Sequence, residues 1–204
     1  MLGILDGRVL GCLLEKERTT PDQYPLTLNA LLLACNQSTN REPVMNVEVH
    51  EVDASITSMK SAGLVRIVHP SHGRNVTRFR QVADEQFRWT PEQASLMSVL
   101  LVRGPQTIAE LKTRSERLHA FASLDEVEGT LQSLATSDEP FAVQLERQSG
   151  QKELRWQQRL ADEAEPGPAR LAPSNSVTDQ LHDRVTQLES RLERLEAALG
   201  DLLG

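Results

Sequence analysis

The chain is 204 residues long, 39% hydrophobic and 25% charged, an ordinary globular composition with enough apolar material for one large domain or two small ones without staples. Its longest apolar run, residues 30–35, is six residues against the roughly 20 needed to cross a bilayer, which excludes a transmembrane helix. The formal charge of -7, taken whole, argues against a nucleic-acid partner, because a duplex repels an acidic body; but a net charge does not say where the charges lie.

The short apolar stretch at the N-terminus is interrupted by Asp6 and Arg8 and has neither a basic lead-in nor a small-residue cleavage site. It does not read as a signal peptide, and a cytoplasmic protein is expected. In residues 6–18, Val9, Leu10, Leu13 and Leu14, with Cys12, recur at helical spacing. Tyr24-Pro25 marks a turn, after which residues 27–35 carry Leu28, Leu31, Leu32 and Cys35 as a second, largely buried helix. The polar run 36–43 ends it. A third helix over 48–62 places Val49, Val52, Ile56 and Met59 on one stripe, with Gly63 where a left-handed C-cap residue belongs. Two strand-like runs, 64–68 and 76–81, flank the turn-rich segment 69–75 and make a long-looped β-hairpin.

The same order then repeats. Thr90-Pro91, an N-cap with proline at the first helical position, opens a helix through Arg103, and Gly104-Pro105 stops it. Helices follow over 107–118 and from Ser123 to about 135, and runs 141–147 and 153–157 form a second hairpin. The internal repeat is architectural: Leu13-Leu14 and Leu100-Leu101 stand at equivalent places 87 residues apart, as do Thr20 and Thr107. The expected domains are therefore 1–85 and 86–160.

From 161 to 176 the composition turns to proline and acid, which predicts a flexible linker. Residues 177–204 then carry Leu181, Val185, Leu188, Leu192, Leu195 and Leu199, continued by Leu202, in steps of four and three. This is the seam of a coiled coil. With Val185, Leu192 and Leu199 at position a, a parallel pair sets Arg184 against Glu189 and Arg191 against Glu196 of the partner, which predicts a homodimer.

Three helices closed by a two-stranded hairpin are the winged-helix plan, whose third helix can enter the major groove while the hairpin touches the backbone or minor groove. The expected fold is thus mainly α with small β-hairpins (α+β): two tandem winged-helix domains, a linker and a coiled-coil helix. Cys12-Leu13-Leu14-Glu15-Lys16, Thr19-Thr20-Pro21, Tyr24-Pro25-Leu26, Asn29, Ala34-Cys35-Asn36-Gln37 and Asn40-Arg41-Glu42-Pro43-Val44-Met45 resemble the signature of the YceH-like family of bacterial proteins. The match extends more loosely to about residue 157. The resemblance implies a tandem winged-helix fold in a soluble, dimeric bacterial protein; it brings no biochemical role with it.

A duplex-reading third helix should present Arg, Lys, Asn or Gln. Here the first unit's third helix carries Glu48, Glu51 and Asp53 against Lys60, and the second unit's carries Asp125, Glu126 and Glu128. Acids near a helix N-terminus suit the helix dipole, but they repel phosphates. The first hairpin argues the other way: from Ala54 to Ala83 there are Lys60, Arg66, Arg74, Arg78 and Arg80 and no acid. With Val65, Ile67 and Phe79 facing the core, strand alternation puts Arg66, Arg78 and Arg80 on the outward face, with Arg74 at the loop tip. The turn between the second and third helices adds Asn40 and Arg41 as candidate contacts, with helix capping and turn satisfaction as their structural alternative.

No nucleophile elbow, phosphate-cradling loop or HExxH is present, so no enzymatic activity and no cofactor are expected. His69 and His72 lack a third ligand nearby in sequence, and Cys12 and Cys35 should meet in the core as reduced thiols. Gly3, Gly7 and Gly11 at intervals of four suit close helix packing. Seven aromatics are too few for single-strand stacking platforms. The leading expectation is a non-enzymatic regulator that binds double-stranded DNA through the Arg66–Arg80 wing. The alternative is a protein-interaction scaffold docking through the acidic third helices, without nucleic acid. By region, 1–85 and 86–160 each carry nine bases and ten acids, and 161–204 carries four and nine. The excess of acid therefore lies mainly outside the expected winged helices.

Overall fold

The structure is a computed structural model that describes residues 1–69, 76–147 and 153–162. Among these residues the protein is mainly helical, with seven α-helices and two small antiparallel sheets. The expected coiled-coil residues Leu181, Val185, Leu188, Leu192, Leu195 and Leu199, the linker beyond Asp162, and Arg74 and His72 lie outside the described residues.

Helix α1 (Ile4–Thr19) buries Val9, Leu10, Leu13 and Leu14. One turn of 3-10 helix follows, then β1 (Leu26–Thr27) and α2 (Leu28–Cys35). The Thr27 hydroxyl accepts a hydrogen bond from the Ala30 N–H at 3.2 Å and satisfies a donor the first turn of α2 would otherwise leave unpaired. Helix α3 (Val49–Ser61) buries Val52, Ile56 and Met59, and Gly63 beyond its end takes φ +74°, the left-handed conformation that glycine adopts without a Cβ clash. Strands β2 (Val65–Val68) and β3 (Arg78–Gln81) form the hairpin, with Arg66 opposite Arg80 and Ile67 opposite Phe79. On the other edge of β3, Leu26 and Thr27 of β1 pair with Phe79 and Arg78, so the strand order is β1-β3-β2.

After α4 (Ala83–Phe87) the plan recurs as α5 (Pro91–Arg103), α6 (Ile108–Ser115), α7 (Leu124–Ala135), β4 (Ala142–Gln144) and β5 (Trp156–Gln158). Thr90, Thr107 and Ser123 cap α5, α6 and α7 through their hydroxyls. The short first strand recurs as a single bridge in which Gln106 and Trp156 exchange backbone hydrogen bonds of 3.0 and 2.7 Å. The repeat is therefore real, but its register is not uniformly 87. Leu13-Leu14 and Leu100-Leu101 are all buried on α1 and α5, whereas Thr20 follows α1 and the N-cap Thr107 corresponds to the N-cap Thr27. The 3-10 turn Pro21–Gln23 and the cis Tyr24-Pro25 peptide occupy the extra length in the first half.

The two halves share one apolar core, and α1 against α5 is its most extensive helix pairing. Gly11 makes this approach possible, and Gly7 makes room for the segment after β5. A Cβ on Gly11 would stand 2.7 Å from Val102 Cγ1 and 2.8 Å from Leu101 Cβ, and one on Gly7 would stand 2.6 Å from Ala161 Cβ. Gly3 meets no such neighbour and simply precedes α1. At the crossing the Ser98 hydroxyl donates to the Gly11 carbonyl at 3.1 Å. The start of the expected linker is also folded: Ala161 is buried and pairs with Leu2, whose carbonyl accepts from the Asp162 N–H at 2.8 Å. No helix among the described residues is long and apolar enough to cross a membrane.

Candidate nucleic-acid interface

Strand alternation on the first hairpin sorts the side chains as their chemistry demands. Val65, Phe79 and Gln81 are buried, while Arg66 and Arg78 are exposed and Arg80 is partly so. Period-two geometry then places Arg66, Arg78 and Arg80 together on the solvent face. Arg78 Nη1 donates to the Pro25 carbonyl at 2.8 Å, which ties the hairpin to the loop before β1. Arg66 and Arg80 converge on a carboxylate that lies just beyond the hairpin: Arg66 Nη1 donates to Glu85 Oε2 at 3.2 Å and Arg80 Nη2 to Glu85 Oε1 at 2.6 Å. Their side chains remain 62%, 33% and, for Glu85, 48% exposed, so these ion pairs are hydrated and individually weak.

Glu85 stands there because of Gln81. The Gln81 side-chain carbonyl accepts from the Ala83 N–H at 2.8 Å and the Asp84 N–H at 3.3 Å and so caps α4, while its Nε2 donates to Glu17 Oε2 at 2.6 Å. The Gln81 backbone N–H donates to Tyr24 Oη at 2.7 Å. Arg88 closes α4 in the left-handed conformation at φ +55°. Five residues of helix are thereby held at a fixed place beside the hairpin.

The turn residues have a different fate. Arg41 is buried, with none of its side chain exposed. Its Nε donates to the Ala34 carbonyl at 2.9 Å; Nη1 donates to Glu15 Oε1 at 3.2 Å and the Asn40 carbonyl at 2.8 Å; Nη2 donates to Glu15 Oε2 at 2.5 Å and Gln37 Oε1 at 2.7 Å. A guanidinium has five N–H donors, and all five are engaged within the protein. Burial works against the Arg41 charge, yet Cys12 and Glu15 hold its guanidinium above the ordinary value. Asn40, at φ +59°, accepts from Arg103 Nη2 through its Oδ1. The rest of the turn is pinned as firmly: Asn36 makes a pair of 2.8 Å bonds with the backbone of Val47, and Arg8 Nη2 donates to the Pro43 carbonyl at 2.7 Å. Here Asn36, Gln37 and Arg41 use their polar side chains to hold a half-buried turn together from within.

On α3 the acids are partly accounted for by the helix itself, since the Glu48 N–H donates to Glu51 Oε2 at 2.8 Å. On α7, Glu126 Oε2 accepts from the Ala122 N–H at 2.7 Å. The first residue of each helix is an exposed apolar one, Val49 and Leu124. The second hairpin carries no comparable arginine face among its described residues, for Arg155 Nη1 is held by Glu110 Oε2 and the Pro105 carbonyl, each at 2.9 Å.

Cys12 and Cys35 are both buried, and the Cys12 thiol donates to the Ala34 carbonyl at 3.4 Å. Burial pushes the Cys12 thiol up, but its interaction with Cys35 and the Arg41 charge outweigh that and bring it below the ordinary value; the same interaction and burial push Cys35 up. Among the described residues no group of three or more His, Cys, Asp or Glu side chains is arranged to hold a metal ion.

Comparison with known proteins is consistent along the chain. The family described as "Protein of unknown function, DUF480" matches residues 2–151. A "UPF0502 protein" of Shewanella amazonensis is 40% identical over 211 residues, covering 100% of this chain and 98% of the relative. A "UPF0502 protein" of Shewanella woodyi is 42% identical over 219 residues, covering 99% of each.

Proposed function

The chain belongs to the DUF480 (UPF0502) family, and from that premise we propose that it is a non-enzymatic, cytoplasmic pair of winged-helix units that binds double-stranded DNA through its first wing and acts in gene regulation. The observation that carries the reading is the β2–β3 face, where Arg66, Arg78 and Arg80 are gathered on the side of the hairpin turned to solvent. Support for the winged-helix assignment comes from the helix, strand, helix, helix, hairpin order, with the first strand paired to the far strand of the hairpin in both halves. Contact runs through phosphates and the minor groove, and the acid-bearing α3 stays clear of the bases. The active species is a homodimer, joined through the heptads of 177–204, which lie outside the described residues.

The test is titration of the full chain onto a labelled duplex at two salt concentrations, repeated with Arg66, Arg78 and Arg80 changed to Glu. Each phosphate neutralised contributes about 0.9 to the log-log salt slope, so three arginines account for up to about 2.7 of it. The expected result is salt-sensitive binding that the triple variant loses. Binding that is insensitive to salt or to the triple change refutes the reading.

One observation favours a second reading, a protein-interaction scaffold without nucleic acid. Val49 and Leu124 stand exposed at the same place on α3 and α7, each bordered by acids, which suits a partner surface of basic and apolar character. Changing both to Ser would weaken such a partner and leave duplex binding as it was.

A further inference from the structure

The carboxylate of Glu85 spans two guanidiniums from neighbouring strands, one oxygen to each. Arg66 and Arg80 are direct register partners across the hairpin, so their convergence follows from the sheet and does not depend on a chance rotamer of one long side chain. A guanidinium fork that accepts a carboxylate also accepts a phosphate, because both anions offer two oxygens at similar spacing to N–H donors. We propose that Arg66 and Arg80 form a phosphate-binding fork and that Glu85 occupies it in the unliganded protein as an internal competitor. This deepens the DNA-binding reading and rests on it for the source of the phosphate, the backbone of a duplex.

Three features make the competition reversible. All three side chains keep substantial exposure to water, so exchange needs no rearrangement of the core. Glu85 is not itself a core or capping group: α4 is capped by Gln81, and Glu85 is exposed. Arg78 is anchored on the Pro25 carbonyl, pairs with no carboxylate among the described residues, and can hold the same backbone beside the fork while Glu85 is displaced. The consequence is a wing whose affinity is set below what its arginines alone would provide, by a side chain on the neighbouring helix.

The experiment compares the wild-type full chain with Glu85→Gln, Glu85→Gln combined with Arg66→Gln and Arg80→Gln, and the Arg66, Arg78, Arg80 triple change to Glu, each checked for a cooperative thermal transition well above the assay temperature. Glu85→Gln should bind the labelled duplex roughly threefold to tenfold more tightly, the scale of releasing two hydrated ion pairs. The gain should vanish when Arg66 and Arg80 are also replaced. If the wild type binds and the triple variant does not, yet Glu85→Gln leaves affinity unchanged or lowers it, the fork is refuted while the DNA-binding reading stands. If no form binds duplex, that reading falls, and inorganic pyrophosphate decides the fork by the NMR shifts of the Arg66 and Arg80 Nε–H groups in Glu85→Gln. Movement there assigns the fork to a free phosphate ligand in place of DNA; stationary signals refute it.

Discussion

Arg41 and the arginines of the β2–β3 hairpin are the same chemical group placed in opposite surroundings. Arg41 has no exposed side-chain surface and spends every donor on Glu15, Gln37 and two backbone carbonyls, whereas Arg66 is 62% exposed and shares a half-exposed carboxylate with Arg80. The difference separates structural from available charge. A guanidinium whose five donors are met inside the protein holds a turn in place and has nothing left for a phosphate. One whose bonds are few and hydrated costs little to redirect.

The largest consequence belongs to Arg41. Replacing it with Ala leaves the Glu15 carboxylate, 18% exposed, without its two-point partner, with only Lys16 at 3.8 Å beside it, and takes the guanidinium donors from the carbonyls of Ala34 and Asn40. Breaking a buried pair from one side costs about 3–5 kcal/mol, and the residual hydration of Glu15 places this case near about 3 kcal/mol. Chemical denaturation should show that loss, and Arg41→Lys should recover only part of it, since an ammonium cannot make the planar two-point contact with Glu15. A loss below about 1 kcal/mol would move Arg41 into the same class as the hairpin arginines.

The same pair makes a pH signature. Burial pushes the Glu15 carboxyl up, but Arg41, with help from Lys16, outweighs it and holds the group below the ordinary glutamate value. A depressed carboxylate contributes stability that is complete above its unfolded value, about 4.3, and is lost as pH falls through the folded value. Glu15→Gln should therefore be less stable than wild type at neutral pH, with the gap closing as pH drops below about 4.3. Glu17 acts in the opposite sense, because burial raises its carboxyl, so the informative quantity is the difference between the two proteins and not the shape of either curve. A gap independent of pH would mean that the Glu15–Arg41 charge interaction contributes no net stability.

How much of this could be read along the chain depends on how far apart the partners lie. The helices capped by Thr27, Thr90, Thr107 and Ser123 are legible because cap and first turn are neighbours in sequence. Helix α4 is not, since its cap is the side chain of Gln81, a residue outside the usual capping set and itself held by Glu17 and Tyr24, 64 and 57 positions away. Strand β1 is two residues whose only signal is their pairing with β3. Alternation was enough to put the arginines outward on the hairpin, but a charge count that stops at Ala83 leaves out Glu85, which α4 folds back against them. In the turn, the run from Asn36 to Arg41 is equally rich in hydrogen-bonding groups whether it meets a phosphate or its own backbone. Glu15, 26 residues earlier, makes the difference for Arg41.

The smallest effect on stability is expected where the effect on binding is greatest. Changing Arg66, Arg78 and Arg80 to Glu removes two hydrated ion pairs with Glu85 and the Arg78 contact to Pro25. Surface pairs contribute about 0–1 kcal/mol each, and the apolar side of the hairpin, Val65, Ile67 and Phe79, is untouched. The new carboxylates at 66 and 80 also stand near Glu85, and like charges on neighbouring positions repel by similar small amounts. The triple variant should therefore unfold within about 1–2 kcal/mol of wild type while losing its salt-dependent affinity for a duplex. A collapse of stability comparable to that of Arg41→Ala would show the hairpin arginines to be structural as well, and any accompanying loss of binding would then say nothing about phosphate contact.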